Sequence, residues 1–586
     1  MNIDELLVGI QKPGRYIGRE WNVSRKKFED ADVRFALCFP DLYEIGMSNL
    51  GVRILYGIMN ALSGVACERF FAVAADLETR LKEKGELLFS LESRKALKDF
   101  DLVGFSLGHE MQFTNCLAML ESGGIPLRSQ ERDERFPFII GGGPCVANPE
   151  PMHAFFDFFV IGEAEEAIVE IIEVYRAHRG RFQNKEITRR QFLETFASIQ
   201  GVYVPSLYDV TYTATNQILD FKPNSNAAPC RIKKRVVSDF EKAPFPAQWL
   251  VPYIQIIHDR ITLELTRGCP NTCRFCQARH HYYPYRIRKP ETMVALAQQA
   301  YQCSGYDELA LGGLSVSDYP FLQELLVSLL TLFKDKGVSV SLPSIKPKTM
   351  LGNLTALIAS VKKTGLTFAP EAGSMRMRAV LGKQFNDAEF FQALEESYRS
   401  GYQHVKLYFL MGVPLETDAD LDGIVDFSVA VSQAGKKACN RPAQVNVSVN
   451  ALIPKPHTPF QWFGMDARDT IERKQIYIRK KLCSNKRLKI SFHNLEMSFL
   501  EGVFSRGDRR LAGVVERAYK KGARFDAWDE IRKFVFWQEA FAEEGVNPAA
   551  YLGPRSLNEL LPWDFLDMGL SKESMRQEYE KVVASK

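Results

Sequence analysis

Short apolar runs alternate with amphipathic stretches over the first third of the chain. Four apolar runs predict strands, at 33–39, 102–106, 137–141 and 155–161. Helical periodicity predicts helices between or after them, at 51–62, 110–122 and 163–177. Strand, loop and helix in repetition are typical of a parallel, doubly wound sheet. Residues 31–199 are therefore predicted to form such a domain, preceded by an N-terminal extension over residues 1–30.

The same alternation returns after residue 258. Six apolar runs predict strands, at 261–266, 308–312, 338–342, 366–369, 404–410 and 444–450. Helical patterns separate them, at 291–303, 319–335, 387–400 and 418–434. Six strand–helix units predict a partial parallel barrel in place of the complete one with eight. The predicted fold class is thus α/β. A doubly wound parallel sheet is followed by a proline-rich connector (200–258), a partial (β/α)6 barrel (259–465) and a mainly helical C-terminal region (466–586).

Composition and charge place few limits on function. Apolar residues make up 46% of the chain and charged residues 25%, as in soluble globular domains. No apolar run approaches the roughly 20 residues that span a bilayer, and the N-terminus has no hydrophobic signal core. We therefore expect a cytoplasmic protein without a membrane partner. The net charge of +4 allows nucleic acid as a partner but does not indicate it.

Three of the eleven cysteines crowd into eight residues, as Cys269, Cys273 and Cys276. In a cytoplasmic protein such a cluster indicates a metal site and not disulfides. Three thiolates separated by three and then two residues can bind three irons of a cubane and leave the fourth iron without a protein ligand. A structural zinc ion is the alternative, because His280 and His281 could complete a closed set of four ligands.

The cysteine segment resembles the signature of the radical S-adenosylmethionine (SAM) superfamily. It follows directly on the first predicted barrel strand, and an aromatic residue, Phe275, stands just before the third cysteine. The resemblance covers residues 255–465. It implies a [4Fe–4S] cluster that cleaves SAM reductively to a 5′-deoxyadenosyl radical, with Phe275 beside SAM. It also implies an electron donor such as flavodoxin or ferredoxin.

The resemblance extends to further candidate contacts with SAM. Gly312 and Gly313, after the second strand, resemble the glycine motif of the superfamily, although Leu314 replaces the acidic residue expected next. Glu371 lies at the end of the fourth predicted strand, and Lys406 lies in the fifth. The resemblance implies that these residues contact SAM; turn chemistry and packing are the alternative roles.

The first domain resembles the cobalamin-binding class of radical SAM proteins. Its first strand is followed by Asp41-Leu-Tyr-Glu-Ile-Gly46, a frame like the Asp-x-His-x-x-Gly of cobalamin domains with Tyr43 in place of the histidine. Small residues also follow the later strands, where ligands of doubly wound sheets bind. The resemblance covers residues 30–540 by pattern. It implies cobalamin contacts at Asp41, Tyr43, Gly46, Ser106, Gly108, Gly142, Gly143 and Glu163.

The missing histidine changes what is expected around the cobalt. A neutral tyrosine, with a pKa near ~10, is a poor metal ligand at pH 7. The lower axial face is therefore expected to be open or bound by water. A degenerate domain that only packs against the barrel is the alternative to cobalamin binding.

The pair of cofactors implies radical methylation of an unactivated carbon, on a substrate that the sequence does not identify. No catalytic residue can be singled out. Cobalamin-assisted rearrangement or oxidation without methyl transfer is one alternative. RNA modification of the methylthiotransferase type is another, although it usually needs three further clustered cysteines, which this sequence does not have. A non-catalytic cobalamin sensor is the alternative of a different class.

A basic turn, Ser505-Arg-Gly-Asp-Arg-Arg510, stands in the C-terminal region. Such a turn can receive a phosphate or carboxylate group of a substrate. The interpretation we favour is a solvated helix start with salt bridges, because runs of charge are usually solvated.

Overall fold

The first domain is a parallel sheet with one antiparallel edge strand. The computed structural model describes residues 3–246, 248–342, 366–483 and 485–585. The sheet comprises β1 (Val33–Phe39), β2 (Val65–Phe71), β3 (Leu102–Ser106), β4 (Phe138–Gly142), β5 (Phe158–Val160) and β6 (Val202–Tyr203). Its order is β2-β1-β3-β4-β5-β6, and only β5 and β6 pair in antiparallel fashion. The predicted doubly wound sheet is confirmed, and its ligand-binding edge lies at the carboxyl ends of β1, β3, β4 and β5.

Helices of the N-terminal extension and the first domain lie before and between these strands. They are α1 (Ile3–Leu7), α2 (Tyr43–Gly46), α3 (Leu50–Ala61), α4 (Ala75–Lys84), α5 (Phe113–Ser122), α6 (Ala167–Gln183) and α7 (Arg189–Phe196). Local signals set their ends. The Asn49 side chain accepts a hydrogen bond from Val52 N at the start of α3, and Gly85 takes a φ of +65° just after α4.

Strand β2 was not predicted, because Glu68 and Arg69 interrupt its apolar run. Both side chains are buried in the structure. Arg69 pairs with Glu20 and with Glu92, each at 2.7 Å. A buried cation is tolerated where it is paired and hydrogen-bonded. The ion pairs therefore allow a strand whose sequence does not look like one.

The connector forms a hairpin and one short strand. These are β7 (Tyr208–Tyr212), β8 (Ile218–Pro223) and β9 (Ile232–Lys233). Strands β7 and β8 pair in antiparallel fashion.

Two parallel sheets form the barrel region. Its strands are β10 (Ile261–Glu264), β11 (Thr266–Arg267), β12 (Arg286–Ile287), β13 (Glu308–Gly312), β14 (Ser339–Ser341), β15 (Leu366–Glu371), β16 (His404–Met411), β17 (Gln444–Ala451) and β18 (Leu488–Phe492). One sheet runs β10-β13-β14 and the other β15-β16-β17-β18, while β11 and β12 form a short antiparallel pair. Within the described ranges the two sheets do not close into a complete barrel. The parallel strand β18 lies beyond the predicted barrel boundary at residue 465.

The helices of the barrel region follow its strands. They are α8 (Gln277–His281), α9 (Pro290–Ser304), α10 (Leu322–Phe333), α11 (Met375–Leu381), α12 (Asp387–Arg399), α13 (Asp418–Cys439) and α14 (Arg468–Leu482). Burial alternates along β16, where Val405 and Leu407 are buried while Lys406 between them is exposed. This period of two is that of a strand with one face against the core.

The C-terminal region completes the core of the first domain. Its elements are α15 (Leu495–Arg506), α16 (Leu511–Lys520), α17 (Phe534–Glu543), α18 (Ala549–Leu552), β19 (Leu566–Asp567) and α19 (Lys572–Val583). The Phe504 ring lies 5.8 Å from that of Phe113 in α5, and Thr114 donates to buried Asp526 at 2.7 Å. Strand β19 pairs with β9 of the connector. None of the described helices has the length and apolarity needed to cross a lipid bilayer.

Candidate active site

The three clustered cysteines lie on a loop between β11 and α8, here called the cluster loop (residues 268–276). It begins at Gly268, whose φ is +84°. A Cβ atom at Gly268 would lie 2.6 Å from Pro284 O and 2.8 Å from Tyr282 O. Only glycine fits a left-handed position against two carbonyls. The sharp turn at Gly268 therefore directs the chain from the strand end into the cysteine segment.

Arg274 attaches the cluster loop to the end of α11. Its backbone N–H donates to Leu381 O at 2.9 Å, and its guanidinium donates to Ala379 O and Val380 O at 2.7 and 3.0 Å. A cation at the carboxyl end of a helix is favourable, because the last carbonyls carry partial negative charge. The same guanidinium donates to Glu578 of α19 at 2.9 Å. Arg274 thus holds the loop to two helices, α11 and α19.

The cysteines themselves are partly exposed. Burial raises the pKa of Cys273 to about 11 and also raises that of Cys276, and the nearby Lys383 ammonium opposes both shifts. The Asn271 amide donates to Cys269 Sγ at 3.2 Å and to Asp318 at 2.8 Å. Hydrogen bonds to cluster sulfurs are one of the ways in which proteins tune iron–sulfur centres.

The donor set of the cluster loop suits an iron–sulfur cubane. A structural zinc ion needs four ligands around one point. Among the described residues, no three His, Cys, Asp or Glu side chains come together tightly enough to hold a single metal ion. A cubane requires less, because each of three thiolates binds a different iron. Burial lowers the pKa of His280 to about 3 and of His281 to about 4, so both imidazoles are neutral at pH 7.

The predicted glycine pair lies directly beside the start of the cluster loop. A Cβ atom at Gly313 would lie 2.5 Å from Thr266 Oγ1, and one at Gly312 would lie 3.2 Å from Leu263 O. Leu265 N donates to Gly312 O at 2.9 Å. The two glycines therefore allow close approach of the β13 end to the chain that leads into the cysteines.

Glu371 ends β15 in an unusual backbone conformation. Its φ is +66°, and the register between β15 and β16 shifts between Phe368 and Glu371. A residue with a side chain in this region stores on the order of 1–3 kcal/mol of strain, and such residues concentrate at functional sites. The carboxylate accepts a hydrogen bond from Lys383 Nζ at 2.9 Å. Burial raises the pKa of Glu371, and Lys383 opposes that shift.

The structure does not bring all the predicted SAM residues together. Phe275 packs against an apolar cluster that includes Ala372 and Val380. Lys406 is exposed and lies in register with Asn446, near the amino end of β16. Glu371 pairs with Phe409 of β16, which lies three residues beyond Lys406. At about 3.3 Å per residue, Lys406 therefore lies about 10 Å farther than Phe409 from the edge of the sheet that carries the loops. No sequence motif indicated Lys383 or Asn271. The structure places both of them closer to the cysteines than Lys406.

The Asp41–Gly46 frame of the first domain is engaged in protein contacts. Tyr43 is 1% exposed and donates from its hydroxyl to Glu20 at 2.9 Å. Burial raises the pKa of Tyr43, so the phenol stays protonated. Asp41 accepts from Trp528 Nε1 at 3.2 Å, and a Cβ atom at Gly46 would lie 2.2 Å from the Phe71 ring. This segment anchors the N-terminal extension and the C-terminal region to the sheet.

The other predicted cobalamin residues line an open part of the sheet edge. Ser106, Gly108, Gly142 and Gly143 are all partly exposed at the ends of β3 and β4. A Cβ atom at Gly142 would meet no atom within 4 Å. Gly143 has a φ of +105°, and a Cβ atom there would lie 2.7 Å from Leu107 O. The edge therefore has space beside Gly142 for a ligand to approach the backbone.

This edge of the first domain faces the loops at the carboxyl end of the barrel strands. Glu163, which follows β5, pairs with Arg286 and lies 3.4 Å from Arg267, at the end of β11. Lys455, which follows β17, pairs with Glu110 at 2.9 Å. His457 Nε2 lies 2.9 Å from Ala147 O. The ligand-binding ends of both domains thus meet, and Glu163 serves as an ionic contact between them.

The basic turn of the C-terminal region precedes α16 and forms salt bridges, as predicted, but the prediction that it is solvated is wrong, because Ser505, Arg506 and Asp508 are buried. Arg506 is fully buried and donates to four backbone carbonyls, those of Pro454, Gln461, Tyr551 and Gly553. Arg509 pairs with buried Glu150 at 2.7 Å. Arg510 pairs with Asp508 at 2.7 Å. These arginines already have partners, and the turn joins the C-terminal region to the barrel and to the first domain.

Comparison with known proteins agrees with the geometry around the cysteines. Residues 263–428 match the family model of the radical SAM superfamily, and residues 51–205 match the model for the N-terminal part of radical SAM proteins. The chain is a radical SAM protein, and the resemblance drawn from its cysteine spacing is confirmed. Its radical SAM domain implies a [4Fe–4S] cluster and SAM.

Relatives cover most of the chain. The uncharacterized protein MJ0966 of Methanocaldococcus jannaschii is 26% identical over 519 residues, which are 87% of this chain and 97% of that protein. The radical SAM methyltransferase TsrM from Kitasatospora setae, solved with cobalamin and a [4Fe–4S] cluster, is 12% identical and has a TM-score of 0.45, covering 71% of this chain and 72% of TsrM. The cobalamin-dependent enzyme OxsB, solved with aqua-cobalamin and SAM, is 11% identical and has a TM-score of 0.45, covering 94% of this chain and 80% of OxsB.

Proposed function

We propose that this protein is a cobalamin-dependent radical SAM enzyme that transfers a methyl group to an unactivated carbon. The observation that carries the proposal is the meeting of two ligand-binding edges. The carboxyl ends of the doubly wound sheet face the loops around the three cysteines, through contacts such as Glu163–Arg267 and Lys455–Glu110. Both fold types bind ligands at these ends of their strands. A substrate between them would reach both cofactors at once.

On the barrel side, the residues present suit a cluster and SAM. Cys269, Cys273 and Cys276 would bind three irons, and Gly312, Gly313 and Glu371 border the space beside them. When bound, the cluster supplies the electron that cleaves SAM into methionine and a hydrogen-abstracting radical. On the protein side, Gly268 and Arg274 hold the loop in place. We infer that a low-potential donor such as flavodoxin or ferredoxin, in the cytoplasm, delivers the electron.

On the sheet side, the open positions suit cobalamin without a protein ligand below the cobalt. Ser106, Gly108, Gly142 and Gly143 would hold the ring and its tail, since small residues let a large planar ligand approach the backbone. Tyr43 takes no part, because its hydroxyl is committed to Glu20. When bound, cobalamin supplies a carrier that takes a methyl group from SAM and delivers it to carbon.

The residues at the junction close the reaction space. Lys455 is held between Glu110 and Glu501, each at 2.9 Å, so three parts of the chain meet at one ammonium. The Gln277 amide, next to Cys276, lies 3.4 Å from Pro456 O. These contacts join the two edges, and a site closed in this way would protect a carbon radical from side reactions with water.

Gly142 provides a test of the cobalamin site. A Gly142→Leu side chain should fill the space beside the sheet edge and weaken binding of hydroxocobalamin about tenfold or more, because overpacking a ligand site costs about 1–3 kcal/mol. Spectrophotometric titration of the anaerobic protein measures the affinity, with one cobalamin per chain expected for the unmodified protein. Gly57→Leu is the matched control, because a Cβ atom there also meets nothing within 4 Å.

The same titration distinguishes the alternatives. Equal affinity in the Gly142→Leu and Gly57→Leu variants would place cobalamin elsewhere, and no binding to the unmodified protein would favour a domain that only packs. The Co(II) EPR spectrum should lack nitrogen hyperfine structure from a protein imidazole. A nitrogen signal that disappears in a His109→Ala variant would contradict a cobalt without a protein ligand, since His109 follows Gly108 at this edge.

Product stoichiometry tests methyl transfer. With reductant, cobalamin-loaded enzyme and a cell extract that contains the substrate, S-adenosylhomocysteine and 5′-deoxyadenosine should form in about equal amounts, because one SAM donates the methyl group and a second is cleaved. Mass spectrometry with deuterated methyl-SAM measures both products and the label in the substrate. Deoxyadenosine without S-adenosylhomocysteine during turnover would instead support rearrangement or oxidation.

A further inference from the structure

An ion pair that no motif indicated lies against the cluster loop. Lys383 Nζ lies 2.9 Å from Glu371 Oε1, and both side chains are mostly buried. The preceding residue, Gly382, has a φ of +67°, and a Cβ atom there would lie 3.0 Å from Thr272 O. Arg274 N donates to Leu381 O. Residues 381–383 therefore run directly alongside the loop that carries the cysteines.

The two members of the pair carry opposite charges close to the thiolates. Leu381 and Gly382, which directly precede Lys383, contact Arg274 and Thr272, the residues on either side of Cys273. The Lys383 ammonium and the Glu371 carboxylate paired with it therefore lie beside this cysteine. In a partly buried site such charges are screened less than in water. Both charges are therefore positioned to act on whatever the three thiolates bind.

The fold holds Glu371 in a strained backbone conformation. Its left-handed backbone sits at the register shift that ends β15. An extended residue at this position would direct its side chain along the regular pleat of the strand. The unusual backbone instead directs the carboxylate to Lys383 beside the loop. Strain of this kind is retained where the surrounding structure enforces it.

We propose that Lys383 and Glu371 set the reduction potential of the cluster in opposite directions, Lys383 raising it and Glu371 lowering it. A [4Fe–4S] cluster on three thiolates is anionic, and it gains one further negative charge when a low-potential flavin or iron–sulfur donor transfers one electron. A nearby cation stabilises the reduced state more than the oxidised state, and a nearby anion does the reverse. The reduction potential of the cluster then depends on both of these local charges. The inference rests on the proposed radical SAM function, because it requires the cluster.

The test is a redox titration of the reconstituted protein without SAM, followed by EPR of the reduced cluster. The Lys383→Met variant should shift the midpoint potential to lower values, and Glu371→Gln should shift it to higher values. The double variant should return near the potential of the unmodified protein. Lys383→Arg should retain that potential, because it keeps the charge. Lys437→Met is the control, since Lys437 is exposed in the last turn of α13.

Opposite shifts are a readout that a merely structural role would not produce, because loss of packing does not depend on the sign of the removed charge. EPR counts only molecules that hold a cluster, so incomplete assembly does not alter the midpoint. If Lys383→Met assembles no cluster, Glu371→Gln alone decides by the direction of its shift. Unchanged midpoints, or shifts in the same direction, would overturn the inference. An unmodified protein that assembles no cluster would instead contradict the proposed function.

Discussion

Replacing Cys273 by alanine should abolish SAM cleavage. Anaerobically reconstituted protein is expected to hold about four irons and about four sulfides per chain, whereas the Cys273→Ala variant should lose the brown colour and reduce 5′-deoxyadenosine to background. Two thiolates cannot hold a cubane that already has one iron without a protein ligand. Iron and sulfide assays, together with chromatography of the SAM products, measure the effect.

The fold around the loop should survive that substitution. Gly268 and Arg274 hold the cluster loop through backbone and guanidinium contacts that the substitution leaves intact. Circular dichroism of the variant should therefore match that of the unmodified protein. Cys230→Ala is the control, because Cys230 is exposed in the connector and should leave iron content unchanged. Zinc in the anaerobic preparation, without iron–sulfur absorbance, would contradict the assignment of the site.

The strands that could be predicted from the sequence are those with an unbroken apolar run or a clear alternation, such as β16 and β17, which begin at the predicted residues 404 and 444. Strands β1 and β3 occur at the predicted residues, 33–39 and 102–106, since a strand covered on both sides is a continuous apolar run. Strand β2 was not predicted, because Glu68 and Arg69 interrupt its apolar run. Strand β18 was not predicted, because Lys489 and Ser491 are exposed. Its short alternation of apolar and polar residues is therefore hard to distinguish from the charged sequence around it.

The site could be predicted only where its residues are close in sequence. The cysteine spacing specifies the cluster loop directly, because three ligands fall within eight residues. Lys383 reaches the loop through the tertiary position of α11, which no local pattern encodes. Tyr43 occupies a ligand position in the sequence frame, but Glu20 from the N-terminal extension engages it. Burial of a charged residue is likewise invisible in sequence when its partners are distant.

The basic turn shows the same limit, and its reinterpretation changes what the turn is expected to do. Arg506 lies among backbone carbonyls of two segments: Pro454 and Gln461 lie in the connection after β17, and Tyr551 and Gly553 lie at the end of α18. One side chain therefore ties the C-terminal region to the barrel. Pro454 directly precedes Lys455, so the same contacts support the loop at the junction of the two ligand-binding edges.

Replacing Arg506 by methionine should destabilise the protein by about 3 kcal/mol, because four carbonyls around a fully buried side chain lose their donor. Burial lowers the pKa of Arg506 to about 9, which still leaves it charged at pH 7. Urea unfolding followed by tryptophan fluorescence measures the change, since Trp563 donates to Gln461 at 2.7 Å and reports on this region. Arg576→Met is the matched control: Arg576 pairs with Glu580 on the exposed face of α19, and an exposed ion pair contributes little to stability. Arg506→Lys should recover only part of the stability, because an ammonium cannot reach all four carbonyls in the geometry of a guanidinium. Equal stability of the two methionine variants would show that the buried turn does not hold the C-terminal region in place.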